Sequence, residues 1–322
     1  NWKNDHKVML AAGVNVECQV YDTMLAHYVL QPDLKHGMDY LAEMELGYKT
    51  IPITDLIGKR GKNQKTMADI APDRVKDYAC EDADITLRLA EVLTERMPAD
   101  SPERRVLNEL EMPLVPVLAD MELEGVRLDV EALHNMAKGL EEDLGKLKES
   151  IQDHAGVPFS IDSPRQLGEV LFDHLMISEK AKKTKTGQYA TGEDILQKLV
   201  GTHPIVSEVL EYRQLNKLLS TYVRPLPELV DPNTQRVHTQ YMQAVAATGR
   251  LSSTHPNLQN IPIRTARGRE IRKAFVPRDA DHVLLAADYS QVELRIVAAL
   301  SGDRGLCQAF LDGADIHTAT AA

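Results

Sequence analysis

The chain has 322 residues, of which 43% are hydrophobic and 26% charged, with a formal net charge of -11. That length implies two or three domains, and the ordinary globular usage excludes a disordered, collagen-like or low-complexity protein. No apolar run approaches the roughly 18 residues that a membrane helix needs, and Cys18, Cys80 and Cys307 are too widely spaced for a disulfide framework or a zinc pair, so a reducing compartment, the cytoplasm, is expected. The sequence opens on Asn1-Trp2-Lys3 without an initiator Met and stops at Thr320-Ala321-Ala322 inside a helical pattern, so truncation at both ends is expected.

Taken in chain order, Val75 to Leu93 lacks Gly and Pro and carries apolar residues at helical spacing, which predicts a helix. The breakers in Met97-Pro98-Ala99-Asp100-Ser101-Pro102 mark a linker and the first domain boundary. A helix from Glu103 to about Leu123 contains Pro113 and Pro116 and is expected to be kinked or interrupted before Gly125 turns the chain. From Asp129, an N-cap candidate, the residues Leu133, Met136, Leu140, Leu144, Leu147 and Ile151 form one long apolar stripe that requires a packing partner and ends at Gly156. Ser163-Pro164-Arg165-Gln166 has the N-cap, the N1 proline and the capping-box Gln of a further helix. Thr191-Gly192-Glu193-Asp194 opens another, and His203-Pro204 a fourth that runs to about Tyr222. Residues 129–223 thus read as a helical subdomain interrupted by the basic loop Lys182 to Gly187, and strand character returns at Arg236 to Val245 and at His282 to Asp288.

An acidic protein is a poor partner for a polyanion, but the charge is unevenly spread. Between Arg236 and Arg278 eight basic residues face a single acid, Glu270, so this stretch carries +7. A local basic tract beside carboxylate clusters suits a phosphate-binding surface with cation sites; by charge alone a solvated loop is as good a reading. Val283 to Ala287 is an apolar strand that delivers Asp288 at its end, and Ser290 with Glu293 has the spacing of a capping box that opens a helix through Leu300, stopped near Gly302. A carboxylate at the rim of a sheet can hold Mg²⁺, though the same residues also read as a plain turn and cap. Thr248 to Arg264 supplies a Gly-flanked Arg250, hydroxyls and amides suited to nucleic-acid backbones and base edges.

The string ATGRLSSTHPNLQNIPIR, then ADYSQVELR and DIHTATAA, resembles the palm of family A DNA polymerases, and EYRQLNKLLSTY resembles their thumb. The N-terminal NWKND and YACED are similar to the second and third motifs of a 3′-5′ proofreading exonuclease, with Asn4 where an aromatic residue is usual and with the first motif, Asp-x-Glu, absent. The resemblance implies a multidomain α+β and α/β fold. Residues 1–98 would be a partial ribonuclease H-like exonuclease domain, 103–128 a segment leading into the palm, 129–235 a helical thumb, and 236–322 part of an antiparallel-sheet palm without fingers or the second catalytic aspartate.

It further implies two Mg²⁺ ions per active site, with Mn²⁺ as an alternative. Asp288 and the Tyr289 carbonyl would be metal ligands of the polymerase site, with Glu293 crowding the sugar 2′ position. Arg250 would reach the minor-groove side of the primer-terminal pair, where acceptors are common to all correct pairs. Asn257, Gln259, Arg264, Gln291 and His317 would contact template, active site or triphosphate. In the exonuclease, Asp5 and Asp82 would be metal ligands, and Tyr78, one helical turn from Asp82, would orient a water. The expected protein is a monomeric, nucleoid-associated polymerase of replication and repair that binds primer-template DNA and dNTPs. Its rivals are a 3′-5′ exonuclease with a non-catalytic palm and a primer-template clamp without chemistry. The 322-residue chain alone is expected to be inactive, since each site lacks part of its carboxylate set.

Overall fold

The computed structural model describes residues 1–263, 265–314 and 316. The chain divides into two compact units, Asn1–Val276 and Pro277–Ala322. As expected, the fold is mixed α and β, with helices dominating and two small antiparallel sheets among the described residues.

The first unit opens with helices Trp2–Ala11, Thr23–Leu30 and Met38–Leu46, followed by the 24-residue helix Pro72–Glu95. Pro72 stands at the first helical position, where its fixed φ and missing N–H cost nothing. Leu25, Ala26, Leu93, Met97, Leu107 and Val115 form the core that joins these helices to the next segment. The proline-rich segment is helical with a local distortion: Pro102–Val106 passes through a π turn, Leu107–Glu111, into Met112–Glu124. The wider turn lies just ahead of Pro113 and Pro116, which lack the donors an α-helix would require, so the interruption is a bulge and not a break.

Asp129 caps helix Val130–Ala155, its Oδ1 accepting from Ala132 N–H at 2.9 Å, and Gly156 ends the helix in the left-handed region at φ 67°. The expected stripe finds its partner in helix Pro204–Leu218. Leu133 and Leu140 share a core with Leu218, Tyr222 and Leu226, and Ile151 shares a second core with Ile205 and Val209. Helix Pro204–Leu218 continues through a π turn, Leu219–Val223, rather than as regular α-helix to Tyr222. Ser163 caps helix Pro164–Glu169 as expected, but the box is not closed on itself. Gln166 Oε1 accepts from Ser160 N–H at 2.6 Å, one turn of chain earlier than Ser163.

Strand Arg127–Leu128 pairs with Phe275–Val276, and Gln240–Met242 with Ser252–Thr254, both antiparallel. An additional bridge joins Val126 to Val237. Gly125 makes this close approach possible: it has φ 66°, and a Cβ there would lie 2.7 Å from the His238 ring and 2.8 Å from Val237 O.

A buried ionic cluster joins these parts. Glu122 is 2% exposed on the core-facing side of helix Met112–Glu124. Its Oε1 accepts from Lys3 Nζ and from Tyr241 N–H, the latter at 2.7 Å, and its Oε2 accepts from Lys7 Nζ. Lys3 Nζ also donates to Tyr241 O. Burial pushes the Glu122 carboxyl up, but the two ammonium groups and the backbone N–H outweigh it and hold the group below its ordinary value.

Glu122→Ala should therefore cost about 3 kcal/mol in urea unfolding at pH 7, because two cations lose their partner, one of them buried. Because the folded-state value is depressed, this stabilisation is present above the ordinary glutamate value of about 4.3 and is lost as pH falls through the lower folded value. The gap between the natural chain and Glu122→Gln should narrow below pH 4; a gap constant from pH 7 to 3.5 would contradict the assignment.

Candidate functional site

Tyr78 and Asp82 lie one turn apart on helix Pro72–Glu95, near enough for each to act on the other's titration. The neighbouring Glu81 is committed elsewhere, accepting from Tyr48 OH and from Ile51 N–H, both at 2.7 Å, so it pins the 48–51 loop to the helix. Asp39 lies close enough to act electrostatically on both Tyr78 and Asp82, and one of its oxygens accepts from Thr50 Oγ1 at 2.9 Å. Burial raises the Asp82 carboxyl above its ordinary value; the nearby Tyr78 hydroxyl opposes this, and the charges of Asp39 and Glu81 reinforce it. The Tyr78 hydroxyl is likewise raised, by burial and then by the charge of Asp82.

Asp82 Oδ1 is buried without a hydrogen-bond partner. An orphaned anionic oxygen is costly unless a donor or cation meets it, so this atom fits a metal ligand. The full ligand set is not assembled: Asp5 is exposed in the first turn of helix Trp2–Ala11, and no three His, Cys, Asp or Glu side chains among the described residues converge on a common ion position. Asp22 is a buried N-cap, with Oδ1 accepting from Met24 and Leu25 N–H and Oδ2 from Trp2 N–H, and Asp84 is an exposed helix charge facing Arg88 at 3.8 Å.

Three of the six predicted nucleic-acid residues, Arg250, Asn257 and Gln259, follow strand Gln240–Met242 on one stretch of chain. Arg250 is exposed immediately after Gly249, whose φ is 78°. Asn257 and Gln259 are also exposed, yet each braces the loop: Asn257 Oδ1 accepts from Gln259 N–H at 3.0 Å and Asn260 N–H at 3.2 Å, and the Gln259 amide spans from Ser253 N–H to Leu251 O. Thr239 Oγ1, Ser253 Oγ and Pro256 O close the base of the loop in a buried network. Tyr222 OH donates to Asn260 O at 2.6 Å, and a cavity of about 530 Å³ between the helices and the loop is lined by Lys217, Thr221, Tyr222, Asn257 and Asn260.

The basic tract is less available than its sequence suggests. Arg236 pairs with Glu124 at 2.7 Å, Arg267 with Asp143 at 2.6 Å and with Glu270 at 3.4 Å, and Arg278 with Asp279 at 3.5 Å. Arg272 donates to Ile261 O at 3.2 Å. Glu124 and Asp143 lie more than a hundred residues away in sequence, so the local charge count could not reveal these pairs.

In the second unit, Val283 to Ala287 is not a strand. Val283 and Leu285 are 85% and 90% exposed, and a segment with neither a covered face nor a ladder partner among the described residues has nothing to make it a strand. Asp288 and Tyr289 follow it, both exposed. The expected capping box is not formed either. Helix Val292–Ser301 has Gln291 as its N-cap, in the left-handed region at φ 52°, with no side-chain cap, so Ser290 lies one residue too early and Glu293 falls in the first turn, where its charge suits the helix dipole. Arg295 Nε donates to Ser290 O at 3.0 Å and its guanidinium lies 4.5 Å from the Phe310 ring centre, which holds the helix start to helix Arg304–Leu311. Gly302 ends the helix as expected, at φ 64°. Arg264 and His317 lie outside the described residues.

Three residues that sequence reasoning missed organise this surface: Glu122, Tyr222 and Tyr28, whose hydroxyl bonds to the turn before Arg250. For Glu122 a signal existed, since it continues the buried helical series Val115, Leu118, Ala119, where an acid has to find partners.

Residues 130–322 match the family model described as DNA polymerase family A, and residues 1–98 match the one described as 3′-5′ exonuclease. The chain is similar to DNA polymerase I of Pseudomonas aeruginosa, at 48% identity over 94% of this chain and 33% of that protein. It is also similar to DNA polymerase I of Chloroflexus aurantiacus, at 45% identity over 100% of this chain and 34% of that one. Among solved structures it resembles the POL domain of Pol1 from M. smegmatis in complex with DNA primer-template and dNTP, with a TM-score of 0.80 and 34% identity over 96% of this chain and 50% of that chain. The chain spans about a third of the length of the curated relatives it matches. No helix among the described residues is long and apolar enough to cross a membrane.

A raised carboxyl contributes stability that is full below the ordinary aspartate value, about 3.9, and is lost as pH rises through the folded value, so charged Asp82 opposes folding at pH 7. Asp82→Asn should accordingly raise the thermal midpoint by about 2 °C at pH 7 and by less at pH 4. A lower midpoint at pH 7 would show that the carboxylate is satisfied in the fold.

Proposed function

The chain belongs to DNA polymerase family A, and from that premise we propose that it forms part of a template-directed DNA polymerase with a 3′-5′ proofreading exonuclease, working in replication and repair. The observation that carries this reading is that one chain matches the polymerase family model through residue 322 and the exonuclease model over residues 1–98. In this reading residues 1–98 are part of the exonuclease, 103–128 lead into the palm, 129–235 form the thumb, and 236–322 contribute the palm segment with Asp288. Primer-template DNA and dNTPs are the partners, a monomer of the nucleoid the setting.

The roles follow the chemistry of each group. Asp288, with the Tyr289 carbonyl, and Asp82 with Asp5 would hold Mg²⁺ or Mn²⁺, and divalent cations, when bound, activate the attacking oxygen and offset charge on the phosphoryl group. The orphaned Asp82 oxygen supports the exonuclease half of this assignment. Tyr78, one helical turn from Asp82, would orient a water. Glu293, at the start of its helix, would crowd the sugar 2′ position. Arg250 would read minor-groove acceptors, while Asn257, Gln259, Arg264, Gln291 and His317 would line template and nucleotide. The internal hydrogen bonds of Asn257 and Gln259 suggest that part of their work is to hold the loop in shape for that contact.

The test uses a longer chain that spans the full length of the relatives. Asp288→Asn should abolish primer extension and leave primer-template affinity unchanged or improved; Asp82→Ala should stop removal of a mismatched 3′ end while extension continues; and Glu293→Ala should raise ribonucleotide incorporation at least tenfold. Extension by the Asp288 variant, or loss of both activities in the Asp82 variant, would overturn the assignment of two separate sites. The 322-residue chain itself should neither extend nor trim a primer.

A further inference from the structure

The turn that presents Arg250 is held from a distant part of the chain. Tyr28 lies on helix Thr23–Leu30, whose start is capped by Asp22 Oδ1 while Asp22 Oδ2 accepts from Trp2 N–H of the first helix. It is 4% exposed, with its ring edge-on to His36 at 5.5 Å. Its hydroxyl donates to Ala246 O at 2.7 Å and accepts from Gly249 N–H at 3.1 Å, so one side-chain atom bridges both ends of the turn. Gly249 N–H also reaches Ala246 O, at 3.2 Å, which places the tyrosine oxygen on the turn's own closing bond.

The chain leading into this turn is docked on the same side of the molecule step by step. Tyr241 N–H bonds Glu122, the Gln243 amide donates to both Glu111 O and Glu111 Oε2, and Ala244 packs against the core of Leu25, Ala26 and Met97. Beyond Ala244 the segment is largely exposed. There an exposed turn containing a glycine at positive φ would sample many conformations without an external anchor, and Arg250, the next residue, has a long side chain whose reach depends on where its Cα is held.

We infer that Tyr28 is a positioning residue for Arg250: a hydroxyl from the exonuclease-like N-terminal segment sets the turn from which the arginine meets nucleic acid. The inference rests on the proposed reading of Arg250. It links the N-terminal segment to the fidelity of extension without requiring any exonuclease chemistry, because neither Asp5 nor Asp82 takes part in the Tyr28 contacts.

The test is Tyr28→Phe, which keeps the ring and removes both hydrogen bonds. In the 322-residue chain, hydrogen exchange at the Gly249 and Arg250 amides should accelerate about tenfold, while helix Thr23–Leu30 keeps its protection; unchanged exchange at Gly249 overturns the inference. In the longer chain, Tyr28→Phe should lower kcat for extension from a matched primer about fivefold with KM for dNTP unchanged, and should have no added effect in an Arg250→Ala background. Additive losses would overturn the positioning role. An Arg250→Ala variant with normal extension would instead overturn the reading of Arg250, and this inference with it, even where the exchange result holds.

Discussion

A carboxylate that has left water must be met by charge and hydrogen bonds, and the first unit is arranged around one that has. Glu122 takes Lys3 and Lys7 from the first helix and Tyr241 N–H from the strand that leads to the candidate interface. Any one of these contacts on a surface would contribute little. Buried together, they make the N-terminal helix, the π-bulged helix and the strand positions mutually dependent, because moving any of them exposes an unpaired charge to a low-dielectric core. The short sheets could not do this alone; two strands of two or three residues supply few hydrogen bonds and little apolar cover.

On the proposed function, this arrangement is how an acidic protein builds a surface for nucleic acid. The helices Val130–Ala155 and Pro204–Leu218 provide the rigid framework, with Tyr222 tying it to Asn260. The loop from Gly249 to Asn260 is stiffened by its own amides and hydroxyls, so that the exposed groups on it are presented with little conformational freedom left to lose on binding. Several arginines of the basic tract are paired within the chain, holding Glu124, Asp143 and a backbone carbonyl. The tract is therefore both a scaffold and a source of positive potential, and the two uses compete for the same side chains.

What the sequence made legible were features whose cause is local. The Asp129 cap, the stripe from Leu133 to Ile151, the proline-opened helices and the Gly302 stop are set within a few residues, and each stands in the structure. The motif strings were equally legible as a family resemblance. What was hidden depends on distant partners. Glu122 and Tyr28 owe their roles to residues more than a hundred positions away, and the ion pairs that occupy Arg236 and Arg267 do too. Val283 to Ala287 failed as a strand for the same reason in reverse, since an apolar run gives a strand only where another strand meets it. The Ser290 box failed because the chain turns through a left-handed Gln291, which moves the helix start past the serine.

On the proposed function, the described surface, and not the carboxylates proposed as metal ligands, gives this chain its hold on nucleic acid. The most direct measurement is the affinity of the 322-residue chain for a primer-template duplex across a salt series, without nucleotide. The predicted result is weak binding that falls steeply with salt, with a log-log slope of about 0.9 per phosphate neutralised, and an affinity about tenfold lower in Arg250→Ala. Binding insensitive to salt, or an Arg250→Ala variant indistinguishable from the natural chain, would contradict it.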